Sequence, residues 1–290
     1  MTLCDEVRAH CAAVAGSARS VRIDLDALEA LEASPQATLD PGLHHLEGSP
    51  EEIARGLLIL DSINFGSGWF PTLHKRPGHS GYGTIASALR ESFRAGGPWG
   101  NAELRALGTR EIAATLGQPA DHELMAIYAQ ALRALGRWLG ERSVLDAVGE
   151  AAGSAATLAA QLAAAMAPFR DPGFYKRAQI VPANLALAGV ARFKDTDRLT
   201  IFADNLVPHV LRCDGVLVYE ERLAAHIDAG RLLRSGPQEH EIRACAVHAC
   251  ELLSQRLGVA PRVLDNWLWN RGQEPEYKAR PRHRCRCVFY

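Results

Sequence analysis

The chain has 290 residues, 48% of them hydrophobic and 22% charged, and 32 basic side chains against 33 acidic ones leave a formal net charge of -1. That balance excludes a disordered chain, which would need less apolar content or more net charge, and it excludes a protein drawn to nucleic acid by its overall charge. Seven cysteines form an odd set with no Cys-x-x-Cys pair, which suggests neither a disulfide framework nor a four-thiolate zinc site and points to a reducing, cytoplasmic compartment.

In chain order, Asp5 and Glu6 stand near the start and no sustained apolar run follows, unlike a secretory signal, so no export is expected. The first well-signed helix opens at Ser49, Pro50, Glu51 and Glu52, where a serine cap, a proline at the first helical position and a glutamate three residues after the cap precede Ile53, Leu57, Leu58 and Leu60. It should end near Asn64. Residues 66–83 hold five glycines and two prolines with Trp69, Phe70, His74, His79 and Tyr82, a long loop carrying large rings of the kind that borders a site. Apolar spacings of three and four predict further helices over about 84–94, 121–142, 143–166, 174–190, 220–229, 239–257 and 260–270. Strand-like alternation is scarce. Residues 151–169 come nearest to a membrane span, but they are mostly alanine broken by Gly153, Ser154, Thr157 and Gln161, so a buried helix is expected and no membrane partner. No fixed-period repeat or Gly/Ser linker marks a boundary. The fold class is mainly α, with few short strands and one helical domain over 1–290, whose first 42 residues carry the weakest signals.

Three constellations could carry chemistry. The first is Phe174, Tyr175, Lys176, Arg177, Ala178 and Gln179, a cationic opening to the apolar run Ile180, Val181, Pro182. The chain has only four lysines against 28 arginines, so Lys176 is read either as a compact charge with a shiftable pKa or as a surface lysine lying along a helix end. The second is residues 199–207, where Asp204 interrupts an apolar run. Asp204 or Asn205 caps the helix through Pro208 to Leu211, or Asp204 is an acid or base facing a pocket lined by Phe202, and the two readings are compatible. The third is the tail, where Arg280, Arg282, Arg284 and Arg286 recur every second residue; an extended chain would put all four on one face, suited to a phosphate. The plain alternative is a frayed basic terminus.

Metal signals are weak, since neither Cys245, His248 and Cys250 nor His44 and His45 complete a zinc spacing, so no metal is expected. The chain has no Gly-x-x-x-x-Gly-Lys loop, no Gly-x-Gly-x-x-Gly after a strand and no Gly-x-Ser-x-Gly elbow, which removes the main support for nucleotide hydrolases, dinucleotide oxidoreductases and serine esterases.

Six strings in order resemble the queuosine salvage protein family, the queuosine 5'-phosphate N-glycosylases. They are LDSINF at 60–65 with Trp69 following, SGY at 80–82, FYKRAQI at 174–180, LTIFADNLVP at 199–208, EIRA at 241–244 and HRCRCVFY at 283–290. The resemblance spans about residues 43–290. It implies a helical fold related to the helix-hairpin-helix DNA glycosylases, and hydrolysis of the bond between a 7-deazaguanine base and ribose C1' that releases queuine without a cofactor. By the same resemblance Asp204 is catalytic and Lys176 lies in the active site. Substrate contacts are expected from Phe202, Asn205, Asp61, Asn64, Phe65, Trp69, His44, His45 and Arg177, with Arg284, Arg286 and Tyr290 toward the phosphate. Family members often carry an aromatic and a basic residue after FAD, where this chain has Asn205 and Leu206. The alternative from another class is a non-catalytic helical nucleic-acid-binding module on a glycosylase-like scaffold, which net charge -1 and the lack of a broad basic stripe disfavour. A DNA repair glycosylase is disfavoured on the same ground, and no stable nucleic-acid partner is expected.

Overall fold

A computed structural model describes residues 1–33 and 35–290. Helix α1 (Leu3–Ser17) is closed at its start by a reciprocal pair in which the Thr2 hydroxyl accepts from the Asp5 N–H while the Asp5 carboxylate accepts from the Thr2 N–H. Strand β1 (Val21–Ile23) follows, then the short α2 (Leu25–Ala30). Helix α3 (Pro50–Ser62) starts on the Ser49 and Glu52 signature read from the sequence and stops two residues before Asn64. Helix α4 (Gly81–Gly96) begins where Ser80 accepts the Gly83 N–H.

Helices α5 (Asn101–Ala106) and α6 (Thr109–Leu116) lie outside the elements expected from the sequence. Their capping residues are Gly100 and Gly108, without side-chain oxygens, and the only signal is a glutamate reaching back to the cap N–H from Glu103 and Glu111. Helix α7 (Glu123–Leu139) packs on both. The single helix expected over 143–166 is two, α8 (Val144–Gly149) and α9 (Ala155–Ala165). Ala152 and Gly153 turn the chain through left-handed backbone, and Asp195 accepts the Ala155 N–H at 2.6 Å and the Ala156 N–H at 3.2 Å, so a carboxylate remote in sequence founds the second start.

Helix α10 (Lys176–Leu187) packs on α3 and α9. Helix α11 (Val207–Cys213) leads to β2 (Leu217–Tyr219), which pairs antiparallel with β1 so that Val21 faces Tyr219. Helix α12 (Glu221–Asp228) precedes α13 (Pro237–Leu257), whose face covers α1, and α14 (Pro261–Arg271), which lies against α11 and α13. A last turn, α15 (Pro275–Lys278), hands over to an irregular tail. Helices therefore dominate, and one contiguous apolar cluster runs from Leu3 to Tyr277. No helix among the described residues is long and apolar enough to cross a membrane.

Candidate active site

The segment 199–206 has no regular ladder of its own, so its backbone groups need side-chain partners. Buried residues supply them. Gln179 on α10 accepts the Thr200 N–H at 3.0 Å, Asp265 on α14 accepts the Phe202 N–H at 2.7 Å, and Arg243 on α13 donates from Nε to the Ala203 carbonyl at 2.9 Å. Arg243 is itself held by Asp171, with Nη1 to Oδ1 at 3.1 Å and Nη2 to Oδ2 at 2.5 Å, and its guanidinium lies over the rings of Phe174 and Tyr290. Three helices thus fix the backbone on both sides of Phe202.

Asp204 follows at once. Its Oδ1 accepts the N–H of Leu206 at 2.6 Å and of Val207 at 3.3 Å, so it does brace the entry to α11. Among the described residues Oδ2 has no hydrogen-bond partner, and the side chain lines a small cavity. Structural and site-facing placements coexist in one carboxylate.

This cavity is bordered by Lys176, Arg282, Asn205, Ser67, Phe65 and Tyr290, among others. Lys176 is placed by an unusual start to α10: Tyr175, a non-glycine residue, has φ +50, a left-handed conformation that costs of order 1–3 kcal/mol and persists only where surroundings impose it. Its Nζ donates to the Asn64 carbonyl at 3.0 Å and to Asn64 Oδ1 at 3.2 Å. Burial pushes the Lys176 ammonium below its ordinary value, and the Asp204 charge opposes that shift. Arg282 is likewise lowered by burial and supported by Asp204. The Ser67 hydroxyl is buried without a partner among the described residues.

A second, larger cavity shares Asn64, Tyr82 and Trp269 with the first and adds Phe202, Asp265, Asn184 and His44. The segment 199–206 divides the two: Phe202 faces one lobe and Asp204 the other. His44 Nδ1 donates to the Asp40 carbonyl at 2.9 Å, which leaves Nε2 of the neutral ring as an acceptor. Burial holds His44 toward that neutral form. Asp61 lies behind the wall, where the Asn184 amide donates to both of its oxygens at 2.9 and 3.1 Å. Burial raises the Asp61 carboxyl to about 7, against the Asn184 hydrogen bonds and the charges of Lys176 and Arg177.

The structure therefore gathers Asp204, Lys176, Asn205, Asn64, Phe65, Phe202, His44 and Tyr290 around the two lobes, with Asp61 behind them. Other expected contacts sit elsewhere. Arg177 is a buried strut that donates to the carbonyls of Ser62, Pro168 and Val288 under the Phe65 ring. His45 packs edge-on to Phe93, and the Trp69 indole donates to Glu123 at 2.7 Å. The tail does not present four arginines on one face, because Pro281 and an irregular backbone break the alternation: Arg280 meets Asp228 at 3.5 Å, Arg284 donates to the Gly230 carbonyl, and Arg286 lies 3.5 Å from Glu123. Arg282 alone of the four lines a lobe. Sequence reasoning missed Asp265, Arg282 in that position, Asn184 and Trp269; the one available signal was Asp265 set between Leu264 and Leu268 on a helix face that is otherwise apolar.

The tail is drawn close by loop 66–73. Gly66 and Ser67 donate to the Tyr290 carbonyl at 3.0 and 3.4 Å, and a Cβ on Gly68 would come within 2.5 Å of the Cys285 carbonyl oxygen. Only glycine permits that approach.

The profile described as queuosine salvage protein matches residues 44–290, which include every residue of both lobes except Thr38, Leu39 and Asp40. The chain belongs to the queuosine salvage protein family. A Sphaerobacter thermophilus protein named queuosine 5'-phosphate N-glycosylase/hydrolase is 32% identical, the match covering 96% of this chain and 95% of that protein. A Bos taurus protein of the same name is 27% identical over 86% of this chain and 85% of its own. A Mus musculus protein of that name is 35% identical over 40% of each chain.

Proposed function

We propose that this protein is an N-glycosidase that hydrolyses the base-ribose bond of queuosine 5'-monophosphate and releases queuine, without a cofactor. The observation that carries the reading is Asp204: one oxygen braced by two backbone N–H groups, the other open to the lobe that also holds Lys176 and Arg282. Cleaving an N-glycosidic bond builds positive charge on the ribose and negative charge on the departing base. A carboxylate held rigidly beside C1' stabilises the first and orients the attacking water, with no reorganisation needed at the moment of reaction.

The 5'-phosphate suits the smaller lobe, where Lys176 and Arg282 outnumber the one carboxylate and the Ser67 hydroxyl lacks a partner among the described residues. The base suits the larger lobe, which offers the rings of Phe202, Tyr82 and Trp269 and acceptors on Asn184 and His44. Lys176 then lies where phosphate, ribose and Asp204 converge. Binding by parts of the substrate remote from C1' is what such an arrangement converts into rate.

The test is a chromatographic assay with queuosine 5'-monophosphate and guanosine 5'-monophosphate, run beside Asp204→Asn. The expected result is queuine released by the unmutated protein, no guanine, and a loss of at least about 10²-fold in the variant. No queuine from the unmutated protein overturns the reading, and full turnover by Asp204→Asn overturns the assignment of the aspartate.

A further inference from the structure

We propose that Asp265 is the acid that protonates the departing base, an inference that rests on the N-glycosidase reading above. A 7-deazapurine has carbon where ordinary purines carry a ring nitrogen that can be protonated, so its departure needs a proton delivered to another base atom. The larger lobe holds one group built for this. Asp265 Oδ1 accepts the Phe202 N–H at 2.7 Å, while Oδ2 has no partner among the described residues and the side chain lines the cavity between Phe202 and Trp269. In a neutral carboxyl the carbonyl oxygen accepts and the hydroxyl donates, so the Phe202 N–H selects Oδ1 as the carbonyl and leaves the proton on Oδ2, toward the base.

The surroundings favour the protonated form. Burial raises the Asp265 carboxyl to about 7, and the charge of Asp204 adds to the rise, against the Phe202 N–H and the Lys176 charge. Cys250 faces it from α13, Tyr82 from α4 and His44 from the segment before α3; Arg262, one turn earlier on α14, is paired with Asp197 at 2.8 Å. Asp204, on the divider, and Asp265, bonded to it from α14, are thus two carboxyls with different environments, one open and braced by N–H groups, the other buried.

The step balances. The bond from C1' to the base breaks with its electron pair on the base, the Asp265 Oδ2–H bond breaks, and that proton joins a nitrogen or carbonyl oxygen of the base. Water adds to C1' and gives its proton to Asp204. Solvent returns that proton to Asp265, and the freed base shifts to its ordinary tautomer.

The experiment compares two substrates, queuosine 5'-monophosphate and 4-nitrophenyl riboside 5-phosphate, whose leaving group needs no proton. Asp265→Asn keeps the acceptor for the Phe202 N–H and removes the acid. It is expected to lower kcat on queuosine 5'-monophosphate by about 10²-fold and to show a defect at least about tenfold smaller on the nitrophenyl substrate, whereas Asp204→Asn loses both. Equal defects of Asp265→Asn on the two substrates overturn the assignment. Queuine binding to the variant checks that the lobe survives. Should the variant not fold, the unmutated protein decides: kcat/KM for queuosine 5'-monophosphate should fall as pH rises through about 7, with no such fall for the nitrophenyl substrate, and matching profiles overturn the proposal. Queuosine 5'-monophosphate left uncleaved by the unmutated protein instead overturns the functional reading itself, a distinct outcome.

Discussion

The two lobes share a wall but differ in how they treat charge. The smaller sets Lys176 and Arg282 beside one carboxylate, while the larger sets Asp265 and Asp40 among aromatic rings and amides, with its one arginine, Arg262, turned to Asp197. The two lobes therefore differ in the sign of charge they favour: an anionic group is stabilised in the smaller one and repelled by the carboxyls of the larger. The lesson is that net charge -1 hides a local separation of sign over one segment of chain.

The largest expected effect comes from loosening that divider. Arg243→Ala removes the Ala203 anchor and leaves Asp171 buried without its partner, which should cost about 3–5 kcal/mol in urea unfolding. If stability falls by less than 1 kcal/mol, the divider is held by something other than this pair. Next in size, Arg282→Gln should raise KM for queuosine 5'-monophosphate by about 10- to 100-fold, as expected for a lost charge-assisted bond of about 1.5–3 kcal/mol. The same variant should leave KM for unphosphorylated queuosine nearly unchanged. Equal changes for the two substrates would break the assignment of the smaller lobe to phosphate.

Features that rest on local chemistry are legible in the amino-acid order alone. Ser49 to Glu52 announce α3 because capping involves only near neighbours, and Asp204 stands out because a charge in an apolar run has to be accounted for. Features that depend on distant partners are hidden there. The break between α8 and α9 rests on Asp195, about 40 positions from the N–H groups it caps. Asp265 stands between Leu264 and Leu268 on a buried helix face, but its partner, the Phe202 N–H, lies 63 positions away and cannot be read from the local order. The alternating arginines suggest one basic face, yet period two holds only for a pleated strand, and this tail is irregular.

A third effect, spread over pH, tests the wall behind the larger lobe. Burial lifts the Asp61 carboxyl to about 7 from an ordinary 3.8, so between those pH values the folded protein keeps a proton the unfolded chain has released, and stability falls as pH rises. His209 and His283, lowered by burial to about 4 and about 3 from 6.5, tilt the curve the other way below 6.5. Asp265, raised by burial to about 7 as well, tilts the curve the same way as Asp61, so comparison with Asp61→Asn isolates the Asp61 share: the variant should lose a downward slope of about 1.4 kcal/mol per pH unit between pH 4 and 7, measured by urea unfolding across that range. Parallel curves for the two proteins would mean that Asp61 is ionised in the folded state.

The smallest expected effect separates Arg282 from its neighbours. Arg286 is exposed, its guanidinium 3.5 Å from Glu123 and stacked at 5.8 Å over Trp69, outside both lobes. Exposed ion pairs contribute about 0–1 kcal/mol because solvent screens them and the long side chains lose freedom in forming them. Arg286→Ala should therefore leave KM for queuosine 5'-monophosphate within about twofold and lower stability by less than 1 kcal/mol. A tenfold rise in KM would mean that the phosphate reaches the outer face of the tail, and the cationic lobe around Lys176 and Arg282 would then have to accept some other part of the substrate.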